Sequence, residues 1–202
     1  MIKTKFFMLG IITAFGVLFL ELLVFTVFNL KTDLSYTYAI SLNLIIIFSV
    51  FLEESVKIII LFQILKKIIS NRSERKHIFL SALIAGLGFS ATEIFFNFFN
   101  SQINSYFSWS DVFGLLTVHT TTFAILGYIL AKKTDPSLPK LALFFPVVFS
   151  FHLFYNSLII YQWSSIFYFL FIILSFLLIL AFFWDLRRHL KEQSLPKSEI
   201  GL

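Results

Sequence analysis

The sequence predicts an all-α fold, a polytopic membrane helix bundle of about six transmembrane helices with both termini cytoplasmic. Three observations carry this. Of the 202 residues, 58% are hydrophobic and only 13% charged, and mean hydropathy is +0.90. A soluble domain of this length has too much surface to hide so much apolar area, whereas a bilayer removes that demand. The apolar residues fall in runs near the ~20 residues that a spanning helix needs. The basic residues gather in the segments between alternate runs.

Six runs qualify: Phe6–Leu30, Tyr38–Leu65, Ile78–Asn100, Val112–Ala131, Pro139–Tyr161 and Trp163–Trp184. The first is too long for the ~7–15-residue apolar core of a cleaved leader and lacks a small-residue cleavage site, so it reads as a span. The gap after the fifth is so short that spans five and six form a tight hairpin. With the N-terminus inside, the inner segments hold every one of the 16 lysines and arginines except Lys31 and Lys57, the asymmetry expected of cytoplasmic loops. Residues 1–185 then form the transmembrane domain, with a candidate functional core over 38–161. Residues 186–202 form a polar cytoplasmic tail.

The net charge of +5 is distributed as topology signals and not as a recognition face, so nucleic acid is excluded as a partner. The absence of cysteine excludes disulfides, iron–sulfur clusters and thiolate zinc sites. Trp109, Tyr161, Trp163 and Trp184 sit at span ends and read as interfacial anchors. Asp111, at the start of span four, reads as a helix cap. Pro146 is the one clear kink candidate.

Against this background the charges inside the spans stand out. Each costs ~2.5–3.5 kcal/mol or more in a bilayer core, yet the spans hold Glu21, Glu53, Glu54, Lys57, Glu93, His119 and His152. At 1.5 Å per residue, Glu93, His119 and His152 come out about 10–14 Å below the outer ends of their spans, at one level, and Glu53 about 22 Å below. A tilt or a later start of span two would bring Glu53 up. Glu53 and Lys57 are four apart and Glu54 and Lys57 three apart, so Lys57 can neutralise one carboxylate and leave the other available. His152 shares a face with Asn156, and Glu93 with Asn97. Span three carries Ser81, Ala82, Ala85, Gly86, Gly88, Ser90 and Ala91, small residues that let membrane helices approach closely. Its Gly86, Gly88 and Ala91 match G-x-G-x-x-A, but inside an apolar helix, without the strand–turn–helix setting of a dinucleotide site. Glu21 either faces this cluster from span one or bonds a neighbouring helix, and the second reading is preferred.

Four stretches resemble the PrsW intramembrane proteases, relatives of the CAAX-processing and bacteriocin-processing proteases. Glu53, Glu54 and Lys57 fit E-E-x-x-K, and Phe89 and Glu93 fit F-x-x-x-E. His119 matches the histidine of the next helix, and His152 and Asn156 fit H-x-x-x-N. They occur in order on spans two to five and cover Val50 to Asn156. The CAAX-processing branch carries histidine where this chain has Glu93 and arginine where it has Lys57, which argues against prenyl-protein processing. The resemblance implies an intramembrane endopeptidase of a cytoplasmic membrane acting on membrane-embedded protein substrates, with an anti-sigma factor as the family analogy. Its catalytic set would be Glu53, Glu54, Glu93, His119, His152 and Asn156, with Glu53 the water-activating base.

No cofactor is favoured. Zinc is chemically compatible, with Glu53, Glu54, His119 and His152 as ligands, although no H-E-x-x-H is present. A carboxylate base needs no metal, because burial in low dielectric makes it more basic. Two other classes fit buried glutamates and histidines. One is a proton-coupled transporter or channel, against which stand the lack of repeated halves and the small number of Gly/Pro breaks inside the spans. The other is a catalytically inactive membrane partner or immunity-type protein.

Overall fold

The computed structural model describes residues 2–27, 38–69, 75–104, 108–132 and 137–194, and all the regular structure among them is helical. In chain order the helices are α1 (Ile2–Val27), α2 (Tyr38–Ile69), α3 (Arg75–Asn104), α4 (Trp109–Lys132), α5 (Leu138–Ala142), α6 (Phe145–Ile160) and α7 (Ser165–Ser194). Five stretches are long and apolar enough to cross a bilayer: Thr4–Val27, His77–Phe99, Trp109–Lys132, Leu138–Ile160 and Ser165–Glu192. The chain is therefore a multi-pass membrane protein. Helix α2 is longer still, but it carries Glu53, Glu54 and Lys57 at its centre. The expected end of span one at Leu30 lies outside the described residues.

Two boundaries differ from expectation. Span five is two helices, because the chain turns at Leu143 and Phe144 before α6 restarts with Pro146 in its first turn. Proline has no N–H to donate and its ring clashes with the preceding turn, so a helix restarts at it more readily than it passes through it. Helix α7 does not end near Trp184 but runs to Ser194. Its extension keeps an apolar side, with Leu186 buried and Leu190 packed on the core. Arg188 and Glu192 pair one turn apart on the exposed side at 2.9 Å. The segment 186–194 is thus a continuation of the bundle, and the remainder of the expected tail lies outside the described residues.

The start of α4 is also more elaborate than one cap. Ser108 is the N-cap, its hydroxyl accepting from the Asp111 N–H at 3.3 Å. The Asp111 carboxylate reaches back to accept the Ser108 N–H at 2.9 Å, a reciprocal capping box. Trp109, Tyr161, Trp163 and Trp184 are all exposed, as interfacial anchors must be.

Helices α3 and α4 form the centre. Their close approach is set by small residues, as the sequence of span three suggests. A Cβ on Gly86 would stand 2.8 Å from Thr120 Cα and 2.9 Å from the His119 carbonyl oxygen, closer than van der Waals contact permits. Helix α1 lies against the other side of α3, where a Cβ on Gly10 would overlap the Ala85 carbonyl and one on Gly88 the Phe7 carbonyl. Helix α6 packs on α4, α2 packs on α6, and α2 closes back onto α1. The helices α1, α3, α4, α6 and α2 thus close round on one another as a ring of five, in which α2 also reaches across to touch α3 and α4. Helix α7 lies outside it against α4, most of its apolar side chains turned outward.

Candidate functional site

The polar residues that the apolar spans should not contain meet inside this ring. Glu53, Glu54, Lys57, His119 and His152 are all buried. Lys57 is the hub. Its Nζ lies 2.7 Å from Glu53 Oε1, donates to Glu54 Oε1 at 2.8 Å and contacts His119 Nδ1 at 3.0 Å. It therefore pairs with both carboxylates, where the i,i+3 and i,i+4 spacing suggested one. Phe89 and Phe123 complete its surroundings, with the ammonium 4.5 Å and 5.6 Å from their ring centroids. Such faces favour a desolvated cation.

The histidines tie the neighbouring helices to this hub. His119 Nδ1 is 3.1 Å from Glu53 Oε1, and its Nε2 bonds Glu93 on α3. His152 Nδ1 bonds Glu54 Oε1 at 2.7 Å and lies 3.6 Å from Glu53 Oε1. The two imidazoles meet edge to face, 5.2 Å apart. The level mismatch expected for Glu53 does not keep it away. Helix α2 reaches about 22 Å beyond Glu53 toward Tyr38 and α4 about 15 Å beyond His119 toward Trp109, so the difference is taken up by how far α2 extends.

The carboxylates are not equivalent. Glu53 lines a cavity of about 100 Å³ together with Ala14, Glu21, Glu93, His152 and Asn156. Glu54 is fully buried and does not line it. The volume suits a few water molecules and not a bound peptide. Among the described residues, Glu53 Oε1 and Glu54 Oε2 are buried without an aligned hydrogen bond. For Glu53 this means that Lys57, His119 and His152 surround Oε1 at ion-pair distances of 2.7, 3.1 and 3.6 Å.

The structure thus brings together Glu53, Glu54, Glu93, His119 and His152, with Asn156 on the cavity wall. It adds residues that the sequence did not single out. Thr122 lies 3.5 Å from Lys57 Nζ. Ser49, one turn before Glu53 on α2, lines the cavity and donates to Glu21 Oε1. Glu21 does bond a neighbouring helix, but it does so at the cavity.

Glu53, His119 and His152 each bring a possible ligand atom within 4.8 Å of the others, so this group could hold a metal ion. Its donor types suit zinc. The fit is incomplete, because Lys57 already places an ammonium against Glu53 and His119 Nδ1.

Comparisons of the chain with family models, with curated proteins and with solved structures give no match.

Proposed function

We propose that the chain is an intramembrane endopeptidase that hydrolyses peptide bonds of membrane-embedded proteins, with Glu53 as the base that activates water. The observation that carries this reading is the position of Glu53. It is the carboxylate that both pairs with the buried Lys57 and faces a water-sized cavity, across which stand His152 and Asn156. A base must reach the water from which it takes a proton, and Glu53 is so placed while Glu54 is not. Glu54 acts through His152, whose Nδ1 it holds, leaving Nε2 for the water or the reacting carbonyl. The Asn156 amide is a donor for the oxyanion that forms when water adds to that carbonyl. Glu93 fixes His119 from its far side. The four motifs resembling PrsW proteases support the same roles.

In this reading α2 is the sixth span, both termini are cytoplasmic, and the site lies toward the outer half of a cytoplasmic membrane. The substrate is a membrane-embedded protein of the anti-sigma-factor kind. The mechanism needs no metal, because Lys57 supplies the positive charge that a metal would bring. If zinc binds, Glu53, His119 and His152 hold it, and it would polarise the water.

The test is cleavage of a library of single-span membrane peptides by the purified protein in liposomes. Wild type is compared with Glu53→Gln, Glu54→Gln and His152→Ala, each with and without chelator. Cleavage that resists the chelator and is lost in Glu53→Gln is expected. Loss with chelator and recovery with zinc would transfer the role to a metal. A folded wild type that cleaves nothing would defeat the protease reading, and proton flux across the liposome would be measured next.

A further inference from the structure

The ring around the site is not uniformly closed. Where α1 meets α3, backbone lies on backbone at Gly10 and Gly88. Where α3 meets α4, Gly86 does the same against Thr120 and His119, and Gly127 lies on the Ala82 methyl. At those glycines the helices are as close as backbone allows. The seam between α1 and α2 is different, because its polar contact is a hydrogen bond from Ser49 to Glu21. Directly behind it lies the cavity, walled by Ala14, Val17, Leu18 and Glu21 of α1 and by Ser49 and Glu53 of α2.

Helix α1 itself has two unlike halves. The half near Ile2 is fixed on α3 through Gly10. The half near Val27 buries little, with Phe19, Leu22 and Val27 each about two-thirds exposed at 65%, 65% and 68%. Between them is Gly16, around which a Cβ would meet nothing within 4 Å. Packing therefore does not require glycine there, and a glycine inside a helix is a point of weakness.

The geometry points to a hinged side opening: α1 bends at Gly16, the Ser49–Glu21 hydrogen bond is its latch, and an extended stretch of a membrane-spanning substrate reaches Glu53 through the α1–α2 seam. The route for a substrate rests on the protease reading; the hinge and latch do not. The exposed apolar residues flanking the latch place the opening toward lipid, the medium from which a spanning segment arrives. The small volume inside explains why such an opening is needed, since a peptide does not fit the cavity as it stands.

The chain has no cysteine, so one can be placed on the cavity wall as a reporter. Val17→Cys, buried behind the seam, is reacted with a small maleimide in liposomes. Removing the latch with Ser49→Ala should speed labelling up to about tenfold, the effect of losing one hydrogen bond. Stiffening the hinge with Gly16→Ala should slow it about two- to fivefold. Equal rates in all three backgrounds would overturn the hinge and latch. In the second arm, Glu21→Cys with Ser49→Cys is bridged by a short bifunctional thiol reagent. With a bis-methanethiosulfonate, which leaves a disulfide at each cysteine, peptide cleavage should stop on bridging and return when those disulfides are reduced. Cleavage that continues through the bridge overturns the route. A wild type that cleaves nothing while labelling follows the expected pattern leaves hinge and latch standing and defeats the protease reading alone.

Discussion

Lys57 Nζ stands 3.0 Å from Nδ1 of His119, and Glu53 Oε1 stands 3.1 Å from the same nitrogen. Lys57 is the nearer partner and an ammonium only donates, so a bond accepted from it leaves the ring proton on Nε2. That proton points at Glu93, which bonds Nε2 from α3. We expect ¹⁵N NMR of histidine-labelled protein in lipid to show His119 as the Nε2–H form. A resonance pair characteristic of imidazolium, or of Nδ1–H, would contradict this assignment. Lys57→Met should release the tautomer.

Removing Lys57 should do more than free a ring. It is fully buried against two carboxylates, and breaking such a group by deleting one partner costs about 3–5 kcal/mol, because the remaining charges stay buried. Lys57→Met is expected to lower stability by that order in unfolding titrations with sodium dodecyl sulfate. Adding Glu54→Gln should recover part of the loss, since contacting residues are not additive. A double variant as unstable as the sum of the two single ones would show that the pair does not interact.

Gly86 offers a steric counterpart. A methyl there would meet Thr120 Cα and the His119 carbonyl at less than 3.0 Å, and neither is the end of a flexible side chain. Gly86→Ala should cost about 1–3 kcal/mol as overpacking and displace the His119 resonances. Gly16→Ala, in open space, should instead gain about 0.5–1 kcal/mol. Thermal unfolding of the two variants side by side checks the contrast.

The ion pair of Lys132 with Asp185 is a further contrast. It joins α4 to α7 at 2.8 Å, with Tyr128 donating to the same carboxylate. Its side chains are 41% and 48% exposed, so water screens it and its worth is at most ~1 kcal/mol. Asp185→Asn should change stability by no more than that and leave the His119 signals in place. A loss comparable with that of Lys57→Met would mean that α7 supports the site, which its place outside the ring does not suggest.

What the sequence made legible divides along physical lines. Hydropathy found five spans because a bilayer imposes length and apolarity directly, and charge marked Glu53, Glu54, Lys57, Glu93, His119 and His152 because burying charge is costly. Pro146 marked the break in span five. Other features depend on which helix lies beside which, and a pattern along one helix does not carry that. Glu21 is an example, since α1 is apolar all round and no periodicity reveals which face meets α2. Ser49 and Thr122 were hidden for another reason. Hydroxyls in membrane helices commonly bond back to their own helix, as Thr13, Thr92 and Ser175 do here, so sequence alone does not single out those that reach across. The reach of Lys57 to both carboxylates follows from side-chain rotamers, which spacing leaves open.

The three charges at the centre of α2 bear on how the chain is made. Together they offset much of what the surrounding isoleucines, leucines and phenylalanines contribute to membrane insertion, so α2 is a poor passenger by itself. It becomes acceptable to lipid once His119 and His152 meet its carboxylates, which requires α4 and α6 to have been synthesised. In the six-span reading, insertion of α2 and formation of the site would then be a single late event in biogenesis. An insertion reporter carrying α2 alone should fail to integrate it, whereas one carrying residues 38–161 should succeed. A chain in which the site cannot form would present the cell with an unintegrated helix, a form open to membrane quality control.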